Sequence, residues 1–187
     1  MPLPPIDITT NYYITIAEGG WSPCIEGNNA HNLRPFTGSV LPNCVGYVTG
    51  RWNEILGLNA CIYLGNMDAK YLYNLALAQG CQGGKYPAEG ALMVWNDTNN
   101  EGHAAVVDFV ISKREVIASE SGWNYTTAPI IRSITRQRDS GGSNCWGESS
   151  ASRSFTGFVY LPGTVPPKYD DDAWYLYFHN FEGGFPQ

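Results

Sequence analysis

Charge is what this sequence has least of: Asp, Glu, Lys and Arg make up 15% of it, with 11 basic against 17 acidic residues and a formal net charge of -6. A chain of that sign has no general attraction for a phosphate backbone, which requires clustered Lys and Arg, so nucleic acid is not an expected partner. Arg132, Arg136, Arg138 and Arg153 flank one Gly/Ser-rich loop, where a solvated loop is preferred over a site for an anionic polymer. Long apolar runs are missing as well. Nothing approaches the roughly 18 residues of a membrane span, and "MPLPPIDITTNYYITIAEGG" holds neither the basic start nor the apolar middle of a signal peptide. Membrane insertion and secretion by a cleaved leader are therefore not expected. Cysteine at metal-binding spacing is also absent: Cys24, Cys44, Cys61, Cys81 and Cys145 form no CxxC pair and no Cys/His zinc pattern, and an odd number leaves at least one thiol unpaired. No metal or cofactor is expected, and Cys44 is the candidate free thiol.

What is present suits one well-packed domain. In 187 residues, 43% are hydrophobic and 13% aromatic, enough for a sizeable core, while 21 Gly and 12 Pro imply many turns. Residues 1–35 read as an arm punctuated by Pro, Gly and Asn, with a short strand-like run from Tyr12 to Ile16. From Cys44, Val45, Val48, Trp52, Ile55 and Leu56 recur at helical spacing and Gly57 supplies a stop. A second helix is predicted in "DAKYLYNLALAQG", with Asp68 as N-cap, Leu72, Leu75 and Ala76 on one face and Gly80 as terminator. Beyond it the segments 91–95, 104–111, 116–121, 127–135 and 155–161 are β-branched and aromatic between turn residues. Helices first and strands afterwards predict an α+β domain with an antiparallel sheet. The end of the chain, 163–187, carries the aromatic cluster Trp174 to Phe178 and is expected to dock on the domain or act as a linker.

The chemistry centres on Cys44, at the predicted start of a helix. A thiolate is the reactive form of cysteine, and a helix N-terminus beside a histidine favours it. Of the three histidines, His103 stands out in "NNEGHAAVVDFV", where Gly102 lets the chain turn into an apolar strand; His31 and His179 lie in less suggestive surroundings. The next strand, "VIASESGWN", carries Glu120, and Asn124 shares its face by the two-residue period. Either could orient His103. A two-residue turn at Lys113 and Arg114 would pair Ser112 with Glu115 and set His103 opposite Asn124, leaving Glu120 opposite Val107; a bulge would change that register. On pattern alone Asn124 is favoured, and with a bulge possible the choice stays open.

Five blocks in order, "NCVGYVTGRWNEI", "PAEGALMVWND", "EGHAAVVDFV", "SESGWN" and "FTGFVYLP", resemble the CHAP domain, the cysteine, histidine-dependent amidohydrolase/peptidase. The likeness runs over 36–162. It implies a papain-like α+β fold, Cys44 as nucleophile, His103 as base and, three places before Trp123, Glu120 as the third residue. It also implies a peptidoglycan hydrolase, an N-acetylmuramoyl-L-alanine amidase or peptide-bridge endopeptidase of the phage endolysin or tail-associated lysin type, residing in the host cytoplasm until lysis or on the virion. Such a protein would act on bacterial peptidoglycan and is expected to be a monomer. Some relatives bind calcium through an acidic segment before the cysteine; residues 24–43 hold one acid, Glu26, so no such site is expected. Asn43 is a candidate oxyanion donor or helix cap, and Tyr47, Trp123 and Trp146 are candidate substrate contacts. The alternatives are an NlpC/P60-like cysteine peptidase, whose third residue is commonly a histidine, and a non-catalytic wall-binding or virion structural module.

Overall fold

The structure, a computed structural model, describes residues 3–10, 13, 41, 43–57, 64, 68–97, 101–122, 131–137, 146–147 and 153–165. Helix α1 spans Cys44–Leu56 and ends at Gly57, whose φ of 79° suits a residue without a Cβ. A 3-10 turn, Ala69–Tyr71, leads into α2, Leu72–Ala78. Asp68 stands before that turn as expected but makes no capping hydrogen bond; its carboxylate takes Lys70 Nζ at 3.2 Å instead. In α2, Leu72 and Ala76 are buried while Leu75 is half-buried, and the helix closes before Gly80.

Six strands follow: β1 Gly83–Gly84, β2 Leu92–Asp97, β3 His103–Ser112, β4 Glu115–Glu120, β5 Ile131–Arg136 and β6 Arg153–Val159. They form one antiparallel sheet in the order β1-β6-β2-β3-β4-β5, so the fold is α+β with helices ahead of the sheet. Two consecutive glycines read as a turn, and sequence reasoning missed β1.

Both faces of the sheet are covered, which is why its central strands read as unbroken apolar runs. On one face Val45, Val48 and Trp52 of α1 and Leu72 of α2 pack on Leu92, Val94, Ala104 and Val106. On the other, Met93, Trp95, Ala105 and Val107 meet Phe155, Phe158 and Trp146. Each large apolar side chain so buried contributes about 1.5–3 kcal/mol before conformational entropy is counted. Trp52 also donates its indole N–H to the Gly90 carbonyl at 2.9 Å, fastening α1 to the loop before β2.

The β3–β4 hairpin departs from a simple ladder. Ser112 faces Glu115, as the two-residue turn predicts, but the register then shifts twice, between Val110 and Ser112 and between Val107 and Phe109. At each place β3 advances two residues while β4 advances one, so Val106 faces Ser119. One further step sets Glu120 beside Ala105 rather than Val107.

Of the N-terminal arm, residues 3–10 and Tyr13 are described, and they lie against α1: Arg51 Nη2 donates to the Pro4 carbonyl at 2.7 Å, and Tyr13 donates to Glu54 Oε2 at 2.8 Å. Most of the strand-like run 12–16 and the aromatic cluster 174–178 lie outside the described residues. Among the described residues no helix is long and apolar enough to cross a membrane.

Candidate active site

Asn43 has extended backbone angles, and its Oδ1 accepts from the amides of Val45 at 2.8 Å and Gly46 at 3.2 Å. It is therefore the N-cap, and Cys44 is the first residue of the helix. The Tyr47 amide is bonded to the Asn43 carbonyl, so the Cys44 amide is the first-turn donor that the cap leaves unused. Cys44 is half-buried, and its thiol, like that of Cys81, is free; Cys24, Cys61 and Cys145 lie outside the described residues.

His103 opens β3 immediately after Gly102, whose φ is 81°. A Cβ at Gly102 would come within 2.6 Å of the Trp95 carbonyl oxygen and 2.7 Å of the Lys70 amide nitrogen, so only glycine lets β2, the 3-10 turn and the start of β3 converge there. The Lys70 amide donates to the Glu101 carbonyl at 3.0 Å, closing this corner. The imidazole lies tilted against the Trp95 ring, centroids 5.7 Å apart.

His103 Nε2 and Glu120 Oε2 are 2.5 Å apart, with side-chain exposures of 15% and 28%. Cys44 also acts on the ring, raising its pKa. Burial pulls the imidazole pKa down, but the interactions with Cys44 and Glu120 outweigh it and hold the pKa up at about 9. The ring is accordingly protonated at neutral pH, between a sulfur and a carboxylate. With Nε2 occupied by Glu120, Nδ1 is the ring nitrogen left for the reaction.

The structure thus brings Cys44, His103 and Glu120 together, from the N-terminus of α1, the start of β3 and the end of β4. It moves two candidate substrate contacts elsewhere. Tyr47 is 0% exposed and donates to Ser119 Oγ at 2.6 Å, while Trp146 is 1% exposed and packs edge-on against Phe158. Neither forms a groove wall. An aromatic near the nucleophile in sequence satisfied the interior instead, because the helix turns Tyr47 toward the sheet. Asn124 and Trp123 lie outside the described residues. Sequence reasoning overlooked Asp108, whose signal was the one it applied to Glu120: an acid within an apolar strand, here "AAVVDFVI". Among the described residues no group of three or more His, Cys, Asp or Glu could hold a metal ion.

The sequence profile of the CHAP domain matches residues 35–122, just under half of the chain. Residues 35–122 are similar to the CHAP domain. Cys44, His103 and Glu120 all fall within the matched stretch, whereas the sheet continues through β5 and β6 to Val159. No curated protein sequence matches the chain. Among solved structures, an N-acetylmuramoyl-L-alanine amidase from Staphylococcus aureus at 2.15 Å aligns with 22% identity and a TM-score of 0.42, over 68% of this chain and 35% of that one. The chain therefore spans about a third of that structure's length.

Proposed function

We propose that this chain is a peptidoglycan hydrolase that cleaves an amide bond through Cys44, His103 and Glu120, as an N-acetylmuramoyl-L-alanine amidase or a peptide-bridge endopeptidase. The observation that carries the reading is the imidazole of His103 held by Glu120 at 2.5 Å, with the helix-leading Cys44 also acting on the ring. The CHAP match supports the substrate class, and Glu120 in the third place favours this reading over an NlpC/P60-like site built on a second histidine.

In the proposed reaction the Cys44 thiolate attacks the amide carbonyl carbon, and the carbonyl π electrons move to oxygen. The Cys44 amide, at the positive end of α1, donates to that oxyanion. Collapse of the intermediate breaks the C–N bond as His103 passes its Nδ1 proton to the leaving amine, leaving a thioester on Cys44 and a neutral imidazole. Water then attacks the thioester, giving its proton to His103, and the carboxylic acid leaves as the thiolate returns. Glu120 accepts from Nε2 throughout, so the ring keeps Nδ1 toward the reaction and its positive charge is stabilised.

Mass spectrometry of peptidoglycan digested by the purified protein tests the proposal. New N-terminal alanine identifies the amidase, and new termini within the stem peptide or bridge identify the endopeptidase. Intact peptidoglycan, together with a Cys44 thiol that iodoacetamide labels no faster than an ordinary buried cysteine, would instead mark a binding or structural module.

A further inference from the structure

The first irregularity of the β3–β4 hairpin is built around a buried charge. Val107 faces Ala118 and Phe109 faces Ile117, so Asp108 is the extra residue, with no partner on β4 in the ladder. It is 8% exposed, accepts from Ser119 Oγ at 3.0 Å and lies 4.0 Å from Arg51 Nη2. Ser119 in turn accepts from the Tyr47 hydroxyl at 2.6 Å. Tyr47 and Arg51 belong to α1, one and two turns beyond Cys44, and Ser119 immediately precedes Glu120. A buried polar chain thus runs from the nucleophile's helix, through the bulge, to the residue beside the carboxylate.

We propose that Asp108 is a positioning residue: held by Ser119 and Arg51, it keeps the bulge that sets the β3–β4 register and so puts Glu120 on His103. The catalytic meaning of this role rests on the function proposed above; the register argument does not. Side chains alternate along a strand, so losing one extra residue from β3 would set Glu120 opposite Val106 instead of beside Ala105. Val106 packs toward α1, whereas Ala105 lies on the face that carries Trp95, the residue paired with His103. Glu120 would then project on the wrong side of the sheet, displaced by about 3.3 Å along it. A bulge residue in an apolar strand is tolerated when its side chain finds partners, and a carboxylate between a hydroxyl and a guanidinium has them.

Two readouts on Asp108→Ala, Asp108→Asn, Ser119→Ala and Tyr47→Phe test the role. The first is the titration of the His103 ring, followed by NMR of histidine-labelled protein without substrate; the second is kcat and KM on peptidoglycan. In Asp108→Ala and Ser119→Ala the His103 pKa should fall by at least about one unit toward its ordinary value as the Glu120 contact loosens, and kcat should fall about tenfold or more with KM within about twofold. Asp108→Asn keeps an acceptor for Ser119 and should recover most of what Asp108→Ala loses. Folded Ser119→Ala and Tyr47→Phe proteins with the wild-type His103 titration and kcat would overturn the proposal, as would an Asp108→Ala protein whose only change is a lower melting temperature. Should Asp108→Ala fail to fold, the Ser119 and Tyr47 variants decide. Because the titration needs no substrate, inactivity of the wild-type protein on peptidoglycan would refute the proposed function while leaving this inference to stand or fall on the NMR.

Discussion

His103 and Glu120 lie on adjacent strands and meet through Nε2 and Oε2 at 2.5 Å, yet they are not cross-strand partners: His103 pairs with Trp95 of β2, and the register of β3 with β4 carries Glu120 beside Ala105. The contact is diagonal. Diagonal neighbours on one face of a sheet are separated by about 7–8 Å between backbones, a gap that the glutamate and the imidazole together span and across which an aspartate would reach one methylene less far. This geometry makes the length of the Glu120 side chain part of the site.

The nucleophile and base are expected to act as one unit. Cys44→Ser and His103→Ala should each abolish peptidoglycan cleavage, by about a thousandfold or more, and the double variant should be no worse than either single one. Turbidity assays on purified cell walls check the loss, and far-ultraviolet circular dichroism checks that the fold is kept. Wild-type rates in Cys44→Ser would sink the mechanism.

For the orienting carboxylate, Glu120→Ala should lower kcat by about a hundredfold. Glu120→Gln preserves shape and a hydrogen-bond acceptor and should lose less, while Glu120→Asp, too short for the diagonal, should behave more like Glu120→Ala. Asn124→Ala should stay near wild type. A ranking in which Asn124→Ala is the worst of these variants would move the orienting role to that residue.

The pH dependence follows from the raised pKa of His103. The unfolded chain gives up this proton near the ordinary value of 6.5, while the folded protein holds it to about 9. The stability it contributes is therefore complete below about 6.5 and lost as pH climbs through about 9. Denaturant melts between these limits should show that loss in the wild type and a smaller one in Glu120→Gln, where the carboxylate that helps raise the pKa is gone. Cleavage should decline on the same alkaline limb, since the leaving amine takes its proton from His103, and Glu120→Gln should move that limb to lower pH.

Gly102→Ala tests the corner that seats the imidazole. Its added methyl would meet two backbone atoms at 2.6 and 2.7 Å and sit at a φ of 81°, so a destabilisation of about 1–3 kcal/mol is expected. Activity per folded molecule should fall as well, because the displaced backbone carries His103. Calorimetry and kinetics on the same preparation separate the two effects.

Asn43 is expected to matter for stability more than for turnover. Asn43→Ala removes the acceptor for two helix amides and should cost about 0.5–2 kcal/mol, whereas Asn43→Ser should retain most of the cap. With the Cys44 amide donating to the oxyanion, kcat of the folded Asn43→Ala protein should stay within about threefold of wild type. A loss of about a hundredfold would assign the Asn43 side chain to the oxyanion as well.

What the amino-acid sequence determined by itself is what near neighbours decide. The cap at Asn43, the apolar period from Val45 to Leu56 and the stop at Gly57 are local, and they place Cys44 at a helix start before any tertiary contact is considered. The turn at Gly102 and the apolar run behind it likewise put His103 at a strand mouth, and the turn at Lys113 and Arg114 correctly joins Ser112 to Glu115. Only the tertiary structure decided the rest. Whether Glu120 stands opposite Val107 or two residues away depends on bulges that are stable because Asp108 finds Ser119 on another strand and Arg51 on a helix, 11 and 57 positions distant along the chain. The burial of Tyr47 and Trp146 was settled in the same way, by the side chains that close around them. Helical period and capping are energies between residues a few places apart, whereas register and burial are energies between surfaces that meet only when the chain has folded.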